Sequence, residues 1–387
     1  MKKAILKKGK EIAITRKHPW IFSGAIQSMD PCSSGEIVQV YDAFNNWLAC
    51  GHVGDGSISI RVLSFTQQEI NDAFWTSRIQ NCKNLREKLN LGIQHPTNAY
   101  RLVHGEGDLL PGLIVDIYAN TAVIQAHTDG MYLSLNEIAR AIQTVYGQEI
   151  EHIYSKSSAA MHDEEIEDEF LLGNQQETIA TENHMKFKVN WVTGQKTGFF
   201  LDQRENRSLL KHYAQDKTVL NTFSYSGGFS VAALMGGASL VKSVDISQIA
   251  VDLSTENVAL NQLSDKHLAI QADVMKYLRD IEETYDIVVL DPPAFAKSLT
   301  KKHAATMGYK RLNMLGLNRV KPGGLLFTFS CSQVIDEKLF ANTVTAAAIE
   351  VGRNCRILHR LGQGPDHPVN IFHPEGHYLK GLVLEVE

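Results

Sequence analysis

The spacing of apolar and polar positions changes character along the chain. Near the start, Ala4 and Leu6 alternate with polar residues before Lys7-Lys8-Gly9, which reads as a short hairpin turning at Gly9. Glu36–Tyr41, Trp47–His52 and Ser57–Leu63 are strand-like, separated by Asn45-Asn46 and Gly54-Asp55-Gly56, both turn chemistry. These short strands predict a small β-barrel over 1–66. From Gln67, Ile70, Phe74, Ile79, Leu85 and Leu89 recur at roughly helical spacing up to Gly92. Leu113–Ile117 and Ala122–Ala126 read as paired strands, Tyr132–Tyr146 as a helix, and Glu182–Val192 as one strand, giving an α+β middle domain over 67–193. Beyond Gly194, strand and helix signals alternate: strands at Thr218–Phe223, Ser239–Val244, His267–Gln271, Asp286–Leu290, Gly324–Ser330 and Tyr378–Val386, with helices between. This rhythm predicts an α/β domain over 194–387, built on an open, mostly parallel sheet. Ligands of such sheets bind beyond the carboxyl ends of the strands.

Composition narrows the function classes. The 387 residues carry 38 Lys+Arg against 43 Asp+Glu, a formal charge of −5, which argues against a wholly basic nucleic-acid coat protein. The charge is uneven, however. Lys2, Lys3, Lys7, Lys8, Lys10, Arg16 and Lys17 share the first 17 residues with one acid, Glu11. Such lysines either protect a strand edge or meet phosphates. The acidic run Asp163–Glu169 reads as a solvated loop. Lys7, Lys8, Lys10 and Glu11 interrupt any signal-peptide core, and no apolar run reaches the length of a membrane span, so a cytoplasmic protein with no membrane partner is expected. Cys32, Cys50, Cys82, Cys331 and Cys355 are odd in number and form no C-x-x-C pair, so neither a disulfide framework nor a metal site is expected.

Candidate chemistry collects after the predicted strands. The first is followed by Asn221-Thr-Phe-Ser-Tyr-Ser-Gly-Gly-Phe229, where Gly227 and Gly228 open a helix and allow close approach of a ligand to backbone. The second ends at Asp245, placed to grip a ribose diol, and the third is followed by Asp273, placed for a base edge or simply as a helix cap. The fourth runs into Asp291-Pro-Pro-Ala-Phe295, a rigid corner that aims the acid into the cleft and offers a ring for stacking. The fifth ends in Phe329-Ser-Cys-Ser332, where Cys331 is either a small buried hydrophobe or a reactive thiol.

Together these segments resemble a Rossmann-like class I S-adenosylmethionine-dependent methyltransferase, and more narrowly the bacterial large-subunit ribosomal RNA (cytosine-C5) methyltransferase I family. The resemblance spans nearly the whole chain. It includes His18-Pro-Trp-Ile-Phe-Ser-Gly24, Leu102-Val-His-Gly-Glu-Gly-Asp108, Leu110-Pro-Gly-Leu113, Lys196-Thr-Gly-Phe-Phe-Leu-Asp-Gln-Arg204, Asp366-His-Pro368 and Pro374-Glu-Gly376. It implies that the barrel is an RNA-binding PUA domain. It also implies that S-adenosylmethionine lies among Phe200, Asp202, Arg204, Phe223, Ser224, Gly227, Gly228, Asp245, Ile246, Asp273 and Asp291. Cys331 is then the nucleophile that adds to C6 of an unstacked cytosine, with Asp291 holding N3 or N4 of the ring. Ribosomal RNA is the expected partner, met by Lys7, Lys8, Arg16, Lys17, Phe295, Lys297, Lys301 and Lys302. A homodimer stays open. Many RNA cytosine-C5 methyltransferases carry a second cysteine where this chain has Pro293, so product release must use another group or water. Two alternatives follow: methylation of an exocyclic amino group of an rRNA base, for which Cys331 only packs, and a non-catalytic RNA-binding protein with a vestigial methyltransferase fold.

Overall fold

The computed structural model describes residues 2–161, 165–296 and 298–387. Asp163 and Glu164 of the acidic run, and Lys297, lie outside the described residues. The chain forms two compact units. One comprises the chain up to Ala180 together with Val189–Leu201 and Pro365–Gly376; the other comprises Thr181–Lys188, Asp202–Gly364 and His377–Glu387.

The first unit holds two sheets. Its six-stranded sheet runs, edge to edge, Trp20–Phe22, Ile58–Ser64, Trp47–Val53, Ile37–Tyr41, Lys2–Leu6 and Ile26–Met29. Lys2–Leu6 does not form the hairpin expected at Gly9. It pairs in parallel with Ile37–Tyr41 and antiparallel with Ile26–Met29, while the chain after Gly9 enters a short helix, Ile12–Thr15. The reason is burial: Ala4 and Leu6 are fully enclosed, which an isolated hairpin could not achieve. The second sheet runs Glu169–Leu172, His152–Ser155, Thr121–Ala126, Leu113–Tyr118 and Ala99–His104. Helices Asp72–Lys88 and Leu135–Tyr146 share a core with it that includes Trp75, Ile79, Leu102, Val115 and Ile142. Asn71 starts the first of these helices by accepting the Ala73 and Phe74 N–H groups. The helix expected over Tyr132–Tyr146 begins earlier and breaks at Ser134, between Asp129–Leu133 and Leu135–Tyr146. Likewise, Glu182–Val192 is not one strand. A turn at Asn183 and His184, both with positive φ, separates the paired strands Glu177–Glu182 and Met185–Asn190.

A buried charge cluster ties distant segments of this unit together. The Arg86 guanidinium is fully buried and donates to both Asp108 carboxylate oxygens (2.7 and 2.6 Å), to the Arg101 carbonyl (2.7 Å) and to the Asp366 carbonyl (2.9 Å). The Asp366 carboxylate in turn accepts the Arg101 N–H. The strap Pro365–Gly376 is thereby clamped onto this unit, although the chain on either side of it belongs to the other.

The second unit is a seven-stranded sheet. Its strands are β1 (Thr218–Thr222), β2 (Leu240–Asp245), β3 (His267–Gln271), β4 (Tyr285–Leu290), β5 (Val320–Ser330), β6 (Cys355–Leu361) and β7 (Lys380–Val386). Their spatial order is β3-β2-β1-β4-β5-β7-β6. The first five are mutually parallel, while β7 runs antiparallel to both β5 and β6. Ile287, Val288, Val289 and Leu290 of β4 are all at most 1% exposed, as a central parallel strand requires. Among the described residues, six α-helices accompany the sheet: α1 (Arg204–Tyr213), α2 (Gly228–Met235), α3 (Gln248–Leu260), α4 (Val274–Asp280), α5 (Lys302–Leu317) and α6 (Glu337–Glu350). The strand order reverses on either side of β1 and β4, so the cleft for a ligand lies beyond their carboxyl ends.

Candidate active site

The loop after β1 is held in an unusual backbone. Phe223, Tyr225 and Gly227 all have positive φ, at 54°, 44° and 73°. Two non-glycine residues in the left-handed region within one short loop are characteristic of a functional turn over-determined by its surroundings. What determines it is visible. Asp245, at the end of β2, accepts the Tyr225 and Ser247 N–H groups, each at 3.0 Å, and Ser224 N–H donates to the Val244 carbonyl. Beneath, Asn221 donates to Ser230, which hydrogen-bonds Ser243. Gly227 begins α2 so closely against α3 that a Cβ there would lie 2.9 Å from that of Ser254.

The buried Ser224 hydroxyl has no hydrogen-bond partner among the described residues, a polar atom aimed at something the polypeptide does not supply. Ile246, beside Asp245, is 66% exposed and gives an apolar surface next to the acid. An orphaned hydroxyl, a carboxylate already oriented by two amides and an adjoining apolar face fit an adenosine-containing cofactor. Asp273 is exposed and caps α4 by accepting the Lys276 N–H at 2.7 Å, so one of its oxygens is committed to the helix. Asp202 is buried and accepts the Tyr378 hydroxyl (2.7 Å), and buried Arg204 donates to Glu205 (3.1 Å). Phe200 belongs to the first unit, with the Lys196 ammonium 4.4 Å from its ring centroid.

Cys331 stands one residue beyond β5, half-buried in a cavity of about 210 Å³ lined by Ala294, Ala296, Ser332, Gln333, Val334 and Tyr378. The Asp291–Phe295 corner forms the facing wall. It is fixed to the cysteine loop by the Ser332 hydroxyl, which donates to the Ala296 carbonyl at 2.7 Å. Asp291 is half-buried directly after β4. Phe295 packs one ring face on Tyr309 (centroids 4.6 Å, 33° between planes), so only the other face is left for a base. Burial pushes the Tyr309 phenol up to about 12, and the neighbouring Cys331 and Asp291 add to the rise. Tyr309 is therefore a neutral hydroxyl in the wall.

Sequence reading missed Lys380. It is 4% exposed, at the start of β7, paired in register with Ser330, and its ammonium donates to the carbonyls of Ser332 (2.7 Å) and Tyr378 (2.6 Å). No carboxylate of the described residues is in ion-pair contact with it. Burial lowers its pKa, and Cys331 acts in the opposite sense. Nothing in the local sequence Tyr378-Leu-Lys-Gly381 announces this, because the placement depends on the register of two strands 50 residues apart.

The basic residues near the chain start are spread over the first unit. Lys7 donates to the Gly24 carbonyl (3.0 Å), Lys8 lies over Phe44, Lys17 lies over Phe65, and Arg16 is exposed. Lys301 and Lys302 sit at the start of α5 in the second unit. Among the described residues there is no cluster suited to a metal ion and no helix long and apolar enough to cross a membrane.

These features define an S-adenosylmethionine-dependent methyltransferase with a PUA-like N-terminal domain, and comparison agrees. Residues 134–372 match the S-adenosylmethionine-dependent methyltransferase family, and residues 4–65 match the PUA-like domain. The chain is 39% identical to ribosomal RNA large subunit methyltransferase I of Enterobacter sp. (strain 638) and 40% identical to that of Pseudoalteromonas atlantica. These alignments cover 99% and 98% of this chain, and 98% of each relative. It belongs to the ribosomal RNA large subunit methyltransferase I family. Among solved structures, SMU.776 in complex with S-adenosylhomocysteine superposes with a TM-score of 0.86 at 26% identity over the whole of both chains.

Proposed function

We propose that this methyltransferase modifies carbon 5 of a cytosine in large-subunit ribosomal RNA through a covalent adduct with Cys331. The observation that carries the reading is the placement of Cys331 in a cavity lined by Ala294 and Ala296, from the segment that follows Asp291, and by Tyr378, with the Lys380 ammonium bound to the carbonyl of the adjacent Ser332. Carbon 5 of cytosine is a weak nucleophile. Addition of the Cys331 thiolate to C6, with N3 taking up a proton from water, turns the ring into an enamine and makes C5 nucleophilic. S-adenosylmethionine, held by the Phe223–Gly228 loop and Asp245, supplies an electrophilic methyl group. Asp291 accepts a hydrogen bond from N3–H or N4 of the ring, opposing the positive charge that grows there. With S-adenosylhomocysteine as the leaving product, water takes the C5 proton, the C–H electron pair re-forms the C5–C6 double bond and expels the thiolate, and N3 returns its proton to water, restoring aromaticity. The backbone of the flipped nucleotide is steadied by Lys301, Lys302 and the open face of Phe295, with Lys297 assigned by sequence alone. Lys7, Lys8, Arg16 and Lys17 meet phosphates elsewhere on the RNA. In this reading 1–66 is the RNA-binding module, 67–193 a spacer and 194–387 the catalytic module.

RNA carrying 5-fluorocytidine tests the covalent step. Fluorine at C5 blocks the final elimination, so the protein should be retained as a denaturation-stable adduct with one RNA strand. Absence of an adduct, with methyl transfer to an exocyclic nitrogen instead, would make Cys331 a packing residue.

The Lys380 ammonium is assigned the task of holding Cys331 as a thiolate, since a nearby cation favours the charged form. Cys331 acts electrostatically on both Tyr309 and Lys380; Asp291 acts on Tyr309, and Asp336 and Glu337 at the head of α6 act on Lys380. Lys380→Met should move the pH profile of Cys331 alkylation upward by about one pH unit or more, because removing the cation raises the thiol pKa. Lys380→Arg should restore most of the reactivity. An unshifted profile in a folded Lys380→Met protein removes the assignment.

A further inference from the structure

Three segments that the catalytic chemistry leaves unused converge in the first unit. Trp20 donates from Nε1 to the Glu106 carboxylate (2.8 Å) and packs edge-on against His373 (centroids 4.3 Å). Asn370 donates to the Glu106 carbonyl, and its own side-chain oxygen accepts the Phe372 N–H. The strap, the strand start at Trp20 and the turn at Glu106 are thus locked together. Beside them opens a cavity of about 460 Å³, within the range of about 300–1,000 Å³ usual for small-molecule sites.

Its lining combines flat rings with cations. Phe65, Phe74 and Phe372 supply the rings, and Lys17 and Arg78 the charge. Lys17 projects from a left-handed backbone (φ 65°), with its ammonium 5.0 Å from the Phe65 centroid. Arg78 stacks 5.1 Å over Phe74 and spends one nitrogen on the Leu63 carbonyl. No carboxylate of the described residues is in ion-pair contact with it, and the nearby Cys50 and Cys82 thiols are kept neutral by burial. Phe372 is 50% exposed and Ile371 86%, consecutive large apolar residues held out to solvent by a strap that is itself clamped through Arg86. Two cations that make no ion pair with a carboxylate among the described residues, set among aromatic faces with side-chain amides close by, are complementary to an aromatic base and its phosphate.

We infer that this cavity binds one unstacked nucleotide of the RNA substrate, away from the nucleotide that is methylated. Phe372 and Phe65 stack on the base, while Lys17 and Arg78 face the phosphate. The inference rests on the RNA-methylating function proposed above and adds to it a second point of strand recognition.

Photocrosslinking with a short single-stranded RNA carrying 5-iodouridine, followed by peptide mapping, locates the contact. Adducts on peptides containing Phe65 or Phe372 are expected. In equilibrium binding of the same RNA, Phe372→Ala should weaken affinity by about 5- to 100-fold. Lys17→Gln should flatten the dependence of log affinity on log salt by about 0.7. Calorimetric binding of S-adenosylhomocysteine, unchanged in both variants, certifies the fold. If both variants bind RNA with wild-type affinity and salt slope and the adducts map elsewhere, the cavity is not an RNA site while the proposed activity stands. Quenching of the adducts by free cytidine monophosphate at the strength expected of a metabolite site overturns it equally. If the wild-type protein binds no RNA at all, the proposed function falls first and the cavity with it.

Discussion

Replacing Cys331 by alanine is expected to reduce 5-methylcytidine formation in ribosomal RNA by about 10⁴-fold or more, while leaving S-adenosylhomocysteine affinity unchanged. The size follows from the chemistry, since without a thiolate at C6 there is no enamine and C5 stays unreactive toward a sulfonium methyl. Selectivity for turnover follows from position. Cys331 lies beyond β5, whereas the loop and acid that fit the cofactor follow β1 and β2. Mass-spectrometric quantification of the methylated nucleoside after single-turnover reaction checks the effect, and calorimetry checks the binding. Retention of even a tenth of the wild-type rate would show that no covalent step is needed. The other thiols are no substitutes. Cys32, Cys50 and Cys82 belong to the first unit, where burial raises each thiol above its ordinary pKa, and Cys355 begins the edge strand β6.

The largest stability effect should come from Arg86, far in sequence from that chemistry. Its guanidinium is fully buried with a 3%-exposed carboxylate, and it also satisfies two carbonyls. Arg86→Met leaves the Asp108 charge enclosed with no cation against it and only the weaker help of the His104 N–H and the Cys82 thiol, a change that typically costs about 3–5 kcal/mol. Thermal unfolding should fall by roughly 6–20 °C for a unit of this size. Adding Asp108→Asn removes the stranded charge while keeping an acceptor for His104, so the double variant should be more stable than the single one. If Arg86→Met unfolds within about 1 kcal/mol of wild type, the cluster is solvated or relaxes, and the account of the strap's anchoring fails.

Much of the catalytic unit is legible in sequence because its signals are local. The strand His267–Gln271 has the bounds that the sequence pattern predicts, and buried parallel strands announce themselves as continuous apolar runs such as Ile287–Leu290. The strand Cys355–Leu361 gave no such signal. It is a half-exposed edge paired only with β7, and its mixed Arg-Ile-Leu-His-Arg pattern satisfies neither template. Lys380 and the strap were illegible for a different reason. Their roles are set by partners far away in the chain, Ser332 for one and Arg86 for the other, and no window of neighbouring residues holds that information. Asp273 shows the converse, where a locally plausible ligand spends an oxygen on its own helix.

The order of strands also sets a timetable. β7 comes after β6 in the chain yet lies between β5 and β6, so β6 has no place in the sheet until β7 has inserted. Pairings of that kind form late, since long loops must close before any contact rewards them. Lys380 and Tyr378 arrive with β7. A chain with β1–β5 paired but β7 not yet inserted would carry Cys331 without the Lys380 ammonium and without Tyr378 in the lining of its cavity. In the mechanism proposed above, the thiol would then meet its activating cation only once the last strand has joined the sheet.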